Sequence, residues 1–315
     1  MTAPEPPAQI PLTVIGGYLG AGKTTLVNRL LRRADGLRLA VLVNEFGDLP
    51  IDGDLIESRD GNVINIAGGC VCCSYGSDLM AALMDLDKRD PRPDHLLVEA
   101  SGVALPAAIA QSASLIAGYA LDAIVVLADA ETVRAKGADP YLADTIAGQL
   151  ASADIVVLNK VDLVPDSGRA AARDWLSARA PHARVLETVE AELPLAAVLG
   201  SGAERLATPE SHHDHAHDHH PDHHLDHQAA VFTVDAPVDA EALAAALAGA
   251  ELDLVRAKGF VPGRDGRLRA LHVVGRRWRV ADPPPGTRGP GRLVCIRFAA
   301  AVDTAAIERL IAAGG

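Results

Sequence analysis

The sequence predicts an α/β fold: a mostly parallel sheet covered by helices, followed by a smaller C-terminal α+β domain. Three features of the 315-residue chain carry that expectation. Short β-branched runs alternate with Ala- and Leu-rich stretches of helical spacing from about Leu12 to Leu199. A glycine-rich string follows the first of those runs, and a histidine-rich segment interrupts the composition from Ser211. Aromatic residues make up only 3% of the chain against 49% hydrophobic, so its cores must be built from aliphatic side chains.

The first domain is expected over residues 10–207, with strands at Leu12 to Ile15, Leu39 to Val43, Val63 to Ile66, Leu96 to Glu99, Ile124 to Ala128 and Ile155 to Asn159. Each leads into a loop, and open α/β sheets bind ligands beyond the carboxyl ends of their strands. Residues 208–228 contain SHHDHAHDHHPDHHLDHQ, which holds nine of the twelve histidines and too little apolar surface for a core, so a flexible linker is expected. The second domain, 229–315, shows VFTVDAP, the helix-like DAEALAAALAG, then ALHVVGR, RWRVAD, RLVCIRF and an amphipathic stretch from Thr304 to Ala312.

Composition excludes some functions. A formal charge of −12 opposes a phosphate backbone, so nucleic acid is not expected as a partner. No apolar run is long enough to span a bilayer, and MTAPEPPAQIPL lacks a basic start and apolar stretch, so the expected setting is the cytoplasm, without a membrane partner. Cys70, Cys72 and Cys73 are too closely spaced for a disulfide framework, whereas Cys295, alone in RLVCIRF, reads as a small buried hydrophobe.

The string GYLGAGKTT satisfies G-x-x-x-x-G-K-[ST] and precedes a helical LVNRLLRR. Gly17, Gly20, Ala21, Gly22 and Thr25 belong to a loop whose backbone N–H groups can approach phosphates. Lys23 supplies a positive charge there, and Thr24 offers a hydroxyl to Mg²⁺. ADIVVLNKVDL holds Asn159, Lys160 and Asp162 in the order N-K-x-D. A carboxylate at Asp162 can accept from the ring N–H and exocyclic amine of guanine, a donor pair that adenine lacks, so the expected nucleotide is GTP. In LLVEASG, Glu99 closes an apolar strand, where it can hold Mg²⁺ through water or orient an attacking water, and the N–H of Gly102 can sense a γ-phosphate. Lys23 and Glu99 are the candidate catalytic residues. Val103, Ala104 and Leu105 offer no side-chain amide to position water, so slow intrinsic hydrolysis is expected.

In GGCVCC, three thiols lie within four positions. Cys70, Cys72 and Cys73 suit a soft or borderline cation, Zn²⁺ before Cu(I), with a fourth ligand from elsewhere, from solvent or from a recipient protein. Upstream, Asn44, Glu45 and Asp52 occupy the loop after the second strand, where a carboxylate could reach Mg²⁺ or the cysteines. The histidine run can take up Zn²⁺, Ni²⁺ or Co²⁺ without fixed geometry.

Taken in order, GYLGAGKTTLVNRLL, NEFGDLPIDGDLI, GGCVCC, EASG and NKVDL closely resemble the CobW family of metal-related P-loop GTPases. The linker and RAKGFV, residues 256–261, resemble the remainder of that family. The resemblance implies GTP hydrolysis coupled to zinc delivery to a metal-requiring client protein, or in some members cobalt insertion during cobalamin synthesis; homo-oligomers fit either. Ala100 stands where the family usually has a hydroxyl residue, which removes any hydroxyl contact at that position. An accessory GTPase for cobalt or nickel, a metal buffer and a small-molecule kinase stay open as other readings of the same residues.

Overall fold

The computed structural model describes residues 9–34, 36–43, 63–67, 77–200, 228–284 and 286–314. Asn44, Glu45, Asp52, Cys70, Cys72, Cys73 and the histidine run lie outside the described residues. The chain divides into two compact units, Met1–Leu199 and Gly200–Gly315.

In the first unit, β1 (Ile10–Gly17), β2 (Leu39–Val43), β3 (Val63–Ala67), β4 (His95–Glu99), β5 (Tyr119–Asp129), β6 (Ile155–Asn159) and β7 (Arg184–Thr188) form a seven-stranded sheet. Its order is β3-β2-β4-β1-β5-β6-β7, and every pairing is parallel. The helices are α1 (Lys23–Arg32), α2 (Ser77–Asp87), α3 (Pro106–Ser114), α4 (Val133–Lys136), α5 (Ala143–Ala151), α6 (Asp166–Arg179) and α7 (Leu195–Val198). The α/β expectation thus holds. Strands β2, β4 and β6 are buried at every residue, as a sheet covered on both faces requires. The core is aliphatic: Leu12, Val14, Leu96, Val98, Val126, Val156 and Leu158 pack with Leu83, Leu150 and Leu176 from the helices.

Strand order reverses at β1, which lies between β4 and β5, so a crevice opens beyond its carboxyl end. The register then aligns the chemistry: Ile15 faces Glu99, Gly17 faces Leu127, and Asp129, Asn159 and Thr188 form one row across β5, β6 and β7. Deeper in the sheet, the Thr13 hydroxyl donates to Asp122 Oδ2 at 3.2 Å and lies 2.9 Å from His95 Nε2. A buried polar chain thus joins β4, β1 and β5.

The second unit is an antiparallel sheet in the order β11-β10-β9-β12-β8, formed by β8 (Gln228–Val234), β9 (Leu254–Pro262), β10 (Leu268–Val274), β11 (Arg277–Ala281) and β12 (Gly291–Arg297). Helices α8 (Ala240–Leu247) and α9 (Thr304–Ala312) begin at Asp239 and Asp303, whose carboxylates accept from Ala242 N and Ala306 N. Cys295 is fully buried between β8 and β9, and burial pushes its thiol far above the ordinary value, which leaves it unreactive.

Candidate nucleotide site

The loop from Gly17 to Gly22 leaves β1 and enters α1 at Lys23. Gly22 precedes the helix with φ 105°, a backbone that side chains rarely adopt, and a Cβ there would fall 2.5 Å from Asn159 Nδ2. No side chain caps the helix start, so its first N–H groups face the crevice, as an anion site requires. Lys23 is buried at that start, while Leu26, Val27, Leu30 and Leu31 anchor the helix in the core. Gly20 and Thr25 are exposed at the mouth.

The next residue brings in β4. Thr24 Oγ1 donates to Glu99 Oε1 at 2.8 Å, and Glu99 is 4% exposed. A hydroxyl and a carboxylate converging beside a phosphate loop are hard oxygen donors of the kind Mg²⁺ prefers. Gly102, three residues on, is buried against the phosphate loop: a Cβ at this position would lie 2.6 Å from Leu19 Cγ and 2.9 Å from its backbone N. Because the backbone atom cannot swing aside, Gly102→Ala is expected to push the two loops apart. The expected result is at least about a tenfold weaker grip on a GTP analogue, 1.4 kcal/mol or more, measured by titration calorimetry.

Asn159 links both ends of the crevice. At 2% exposure, it donates through Nδ2 to Ala21 O at 3.0 Å and accepts through Oδ1 from Ala191 N at 2.8 Å. The residue read as a base contact therefore also ties the phosphate loop to the loop after β7. Lys160, in a left-handed backbone at φ 62°, donates to buried Asp129 Oδ2 at 2.8 Å. Asp162 follows in a short 3-10 turn, Val161–Leu163, and is exposed, as a ligand-reading carboxylate must be.

Several contributors carry no motif. Asp129 anchors Lys160, and the β7 loop runs through Glu190 and Ala191 at φ 50° and 55°. Glu190 and Glu192 of that loop pair with Arg29 and Arg33 of the α1 end at 2.7 and 2.8 Å. Lys136 donates to Leu19 O at 3.4 Å and lies 5.0 Å from the Tyr18 ring centroid. Gln149 donates to Gly102 O and to Ala104 O, each at 3.0 Å. The signals available for these residues were an acidic strand end at Asp129 and a polar residue on the apolar α5, neither specific by itself. A cavity of about 20 Å³ bounded by Tyr18, Asp129, Thr132 and Gln149 lies beside the loop, with room for about one water rather than for a ligand.

Among the described residues no three His, Cys, Asp or Glu side chains come together to hold a metal, and no helix is long and apolar enough to cross a membrane.

A phosphate loop at the strand-order reversal, a Thr–Glu pair beside it and an N-K-x-D turn at the neighbouring strand end define a P-loop nucleotide-binding protein of the GTPase type. The CobW/HypB/UreG nucleotide-binding domain matches residues 11–187, and the cobalamin synthesis protein CobW C-terminal domain matches residues 227–314. The chain belongs to the CobW family. It is 34% identical over 313 residues to a zinc chaperone CobW from Sinorhizobium sp., covering 88% of each chain. A zinc chaperone CobW from Pseudomonas aeruginosa is 35% identical over 308 residues, covering 86% of this chain and 82% of that protein. Among solved structures, the Zn(II)-bound YjiA GTPase from E. coli aligns with 98% of this chain and 100% of that chain, at 21% identity and a TM-score of 0.44.

Proposed function

We propose that this protein is a GTP-hydrolysing metallochaperone of the cytoplasm that binds zinc through Cys70, Cys72 and Cys73 and passes it to a metal-requiring client protein. The observation that carries the nucleotide half is the Asn159 bridge, which holds the phosphate loop and the base-side loop in one arrangement suited to a single guanine nucleotide. The zinc half draws on relatives named zinc chaperones that match across most of the chain, and on three thiols in GGCVCC.

In the nucleotide site, Lys23 and the backbone N–H groups at the start of α1 bind the phosphates, and Asp162 accepts from the guanine N–H groups. Thr24 and Glu99 would hold Mg²⁺, which neutralises charge on the β- and γ-phosphates when bound. Water attacks the γ-phosphorus, the bond to the β-γ bridging oxygen breaks, and GDP and inorganic phosphate leave. A triply thiolate-bound zinc lacks one protein ligand, so a client can complete its shell during transfer. Zinc and nucleotide share a domain, and any effect of nucleotide on zinc affinity returns as an equal effect of zinc on nucleotide affinity.

The test is metal content and GTP turnover of the purified protein, wild type beside a variant with Cys70, Cys72 and Cys73 all changed to Ser. The expected outcome is loss of one tightly bound zinc with nucleotide binding retained. Zinc that stays bound to the variant would refute the metal assignment, and no GTP turnover by the wild type with Mg²⁺ present would refute the hydrolase.

A further inference from the structure

Gln149 is 1% exposed on α5, and its two hydrogen bonds to the turn at 102–104 leave from one atom. An amide nitrogen carries two hydrogens, and here Nε2 gives one to Gly102 O and the other to Ala104 O. A leucine would fill similar space without desolvating an amide, so packing alone does not call for glutamine here. What the side chain adds is a fixed conformation for the turn after Glu99.

That turn determines where one N–H points. Ala104 N donates to Ser101 O at 3.0 Å. Ser101 C=O and Gly102 N–H belong to the same planar trans peptide and must point in opposite directions, so fixing the carbonyl aims the N–H away from the turn. Glycine would otherwise leave this backbone free to adopt other conformations. Leu19 of the phosphate loop meets Gly102 on another side, and Gly148 extends the support, since a Cβ there would lie 2.8 Å from Leu105 Cδ2.

We propose that Gln149 is a positioning residue of the nucleotide site: by holding the Gly102 and Ala104 carbonyls it fixes the turn in which Ala104 N holds Ser101 O, so that the Gly102 N–H meets the γ-phosphate, and it makes α5 responsive to whether that phosphate is present. The consequence reaches beyond the phosphate end, because α5 leads through Asp154, whose Oδ2 accepts from Ile124 N at 2.7 Å, into β6 and Asn159. This inference rests on the GTP reading above.

The experiment compares Gln149→Leu and Gln149→Glu with wild type in the full chain, measuring affinity for GDP and for a non-hydrolysable GTP analogue beside the thermal midpoint. Leucine removes both donors, and a glutamate carboxylate replaces them with acceptors. The expected result is about a tenfold loss for the analogue, with GDP affinity held within about twofold. Equal losses for both nucleotides, or folded variants that bind as wild type does, would reduce Gln149 to packing and overturn the proposal. Should neither variant fold, hydrogen exchange on the wild type decides: α5 amides must exchange more slowly with the analogue than with GDP, and equal exchange overturns the proposal. A wild type that binds neither nucleotide sinks the GTP reading itself, whereas normal wild-type binding beside indifferent variants sinks only the role of Gln149.

Discussion

Lys23→Ala is expected to weaken GTP binding by at least about a hundredfold, roughly 2.8 kcal/mol, with the fold intact. Lys23 is buried at the first residue of α1, where the loop closes and where the terminal phosphates of a bound nucleotide would gather the most negative charge. Folding should survive, since alanine is the strongest helix former and the anchoring apolar face begins at Leu26. Titration with GTP, paired with a thermal unfolding curve, separates the two effects. Retained affinity would show that the loop is structural and return the metal-buffer reading to the front.

Asn159→Ala is expected to lower the thermal midpoint of the first unit by roughly 4 to 24 °C. Removing the amide strands the Ala21 carbonyl and the Ala191 N–H in a buried setting, each costing about 1–3 kcal/mol. A domain of this size shifts by about 2–4 °C per kcal/mol. Asp162→Ala provides the contrast, because Asp162 is exposed: its midpoint should stay unchanged while preference for GTP over ATP disappears. If the two variants behaved alike, Asn159 would not be the bridge between the loops.

What was legible in the sequence is what the ligand itself dictates. The phosphate loop, the Thr24 and Glu99 oxygens and the N-K-x-D turn stand as short strings because a phosphate or a guanine demands set residue types at set spacings. Supporting residues obey no such rule. Gln149 meets Gly102 across 47 positions and Asn159 meets Ala21 across 138, so their roles exist only once the sheet has ordered the strands. Strand β7 escaped because RVLET has only two apolar residues, the adjacent Val185 and Leu186, and leads into an acidic loop, and β9 because Arg256, Lys258 and Gly259 interrupt its apolar run. Gly259 is nevertheless required there, since a Cβ would collide with Arg292 O across the sheet. The cysteine loop, legible by composition, lies outside the described residues.

Helix α1 runs from the phosphate loop to the base-side loop. Its ten residues make a rod of about 15 Å, with the phosphate-facing N–H groups at one end and Arg29 near the other. Arg29 and Arg33 hold the base-side loop through ion pairs with Glu190 and Glu192 at the surface, where such pairs contribute little and salt weakens them. The base-side loop thus has a buried anchor, Ala191 N on Asn159, and a surface one that salt can loosen. Release of spent nucleotide should start as a peeling from the guanine side, with ionic strength setting its pace, while the triphosphate cradle keeps its shape for the next occupant.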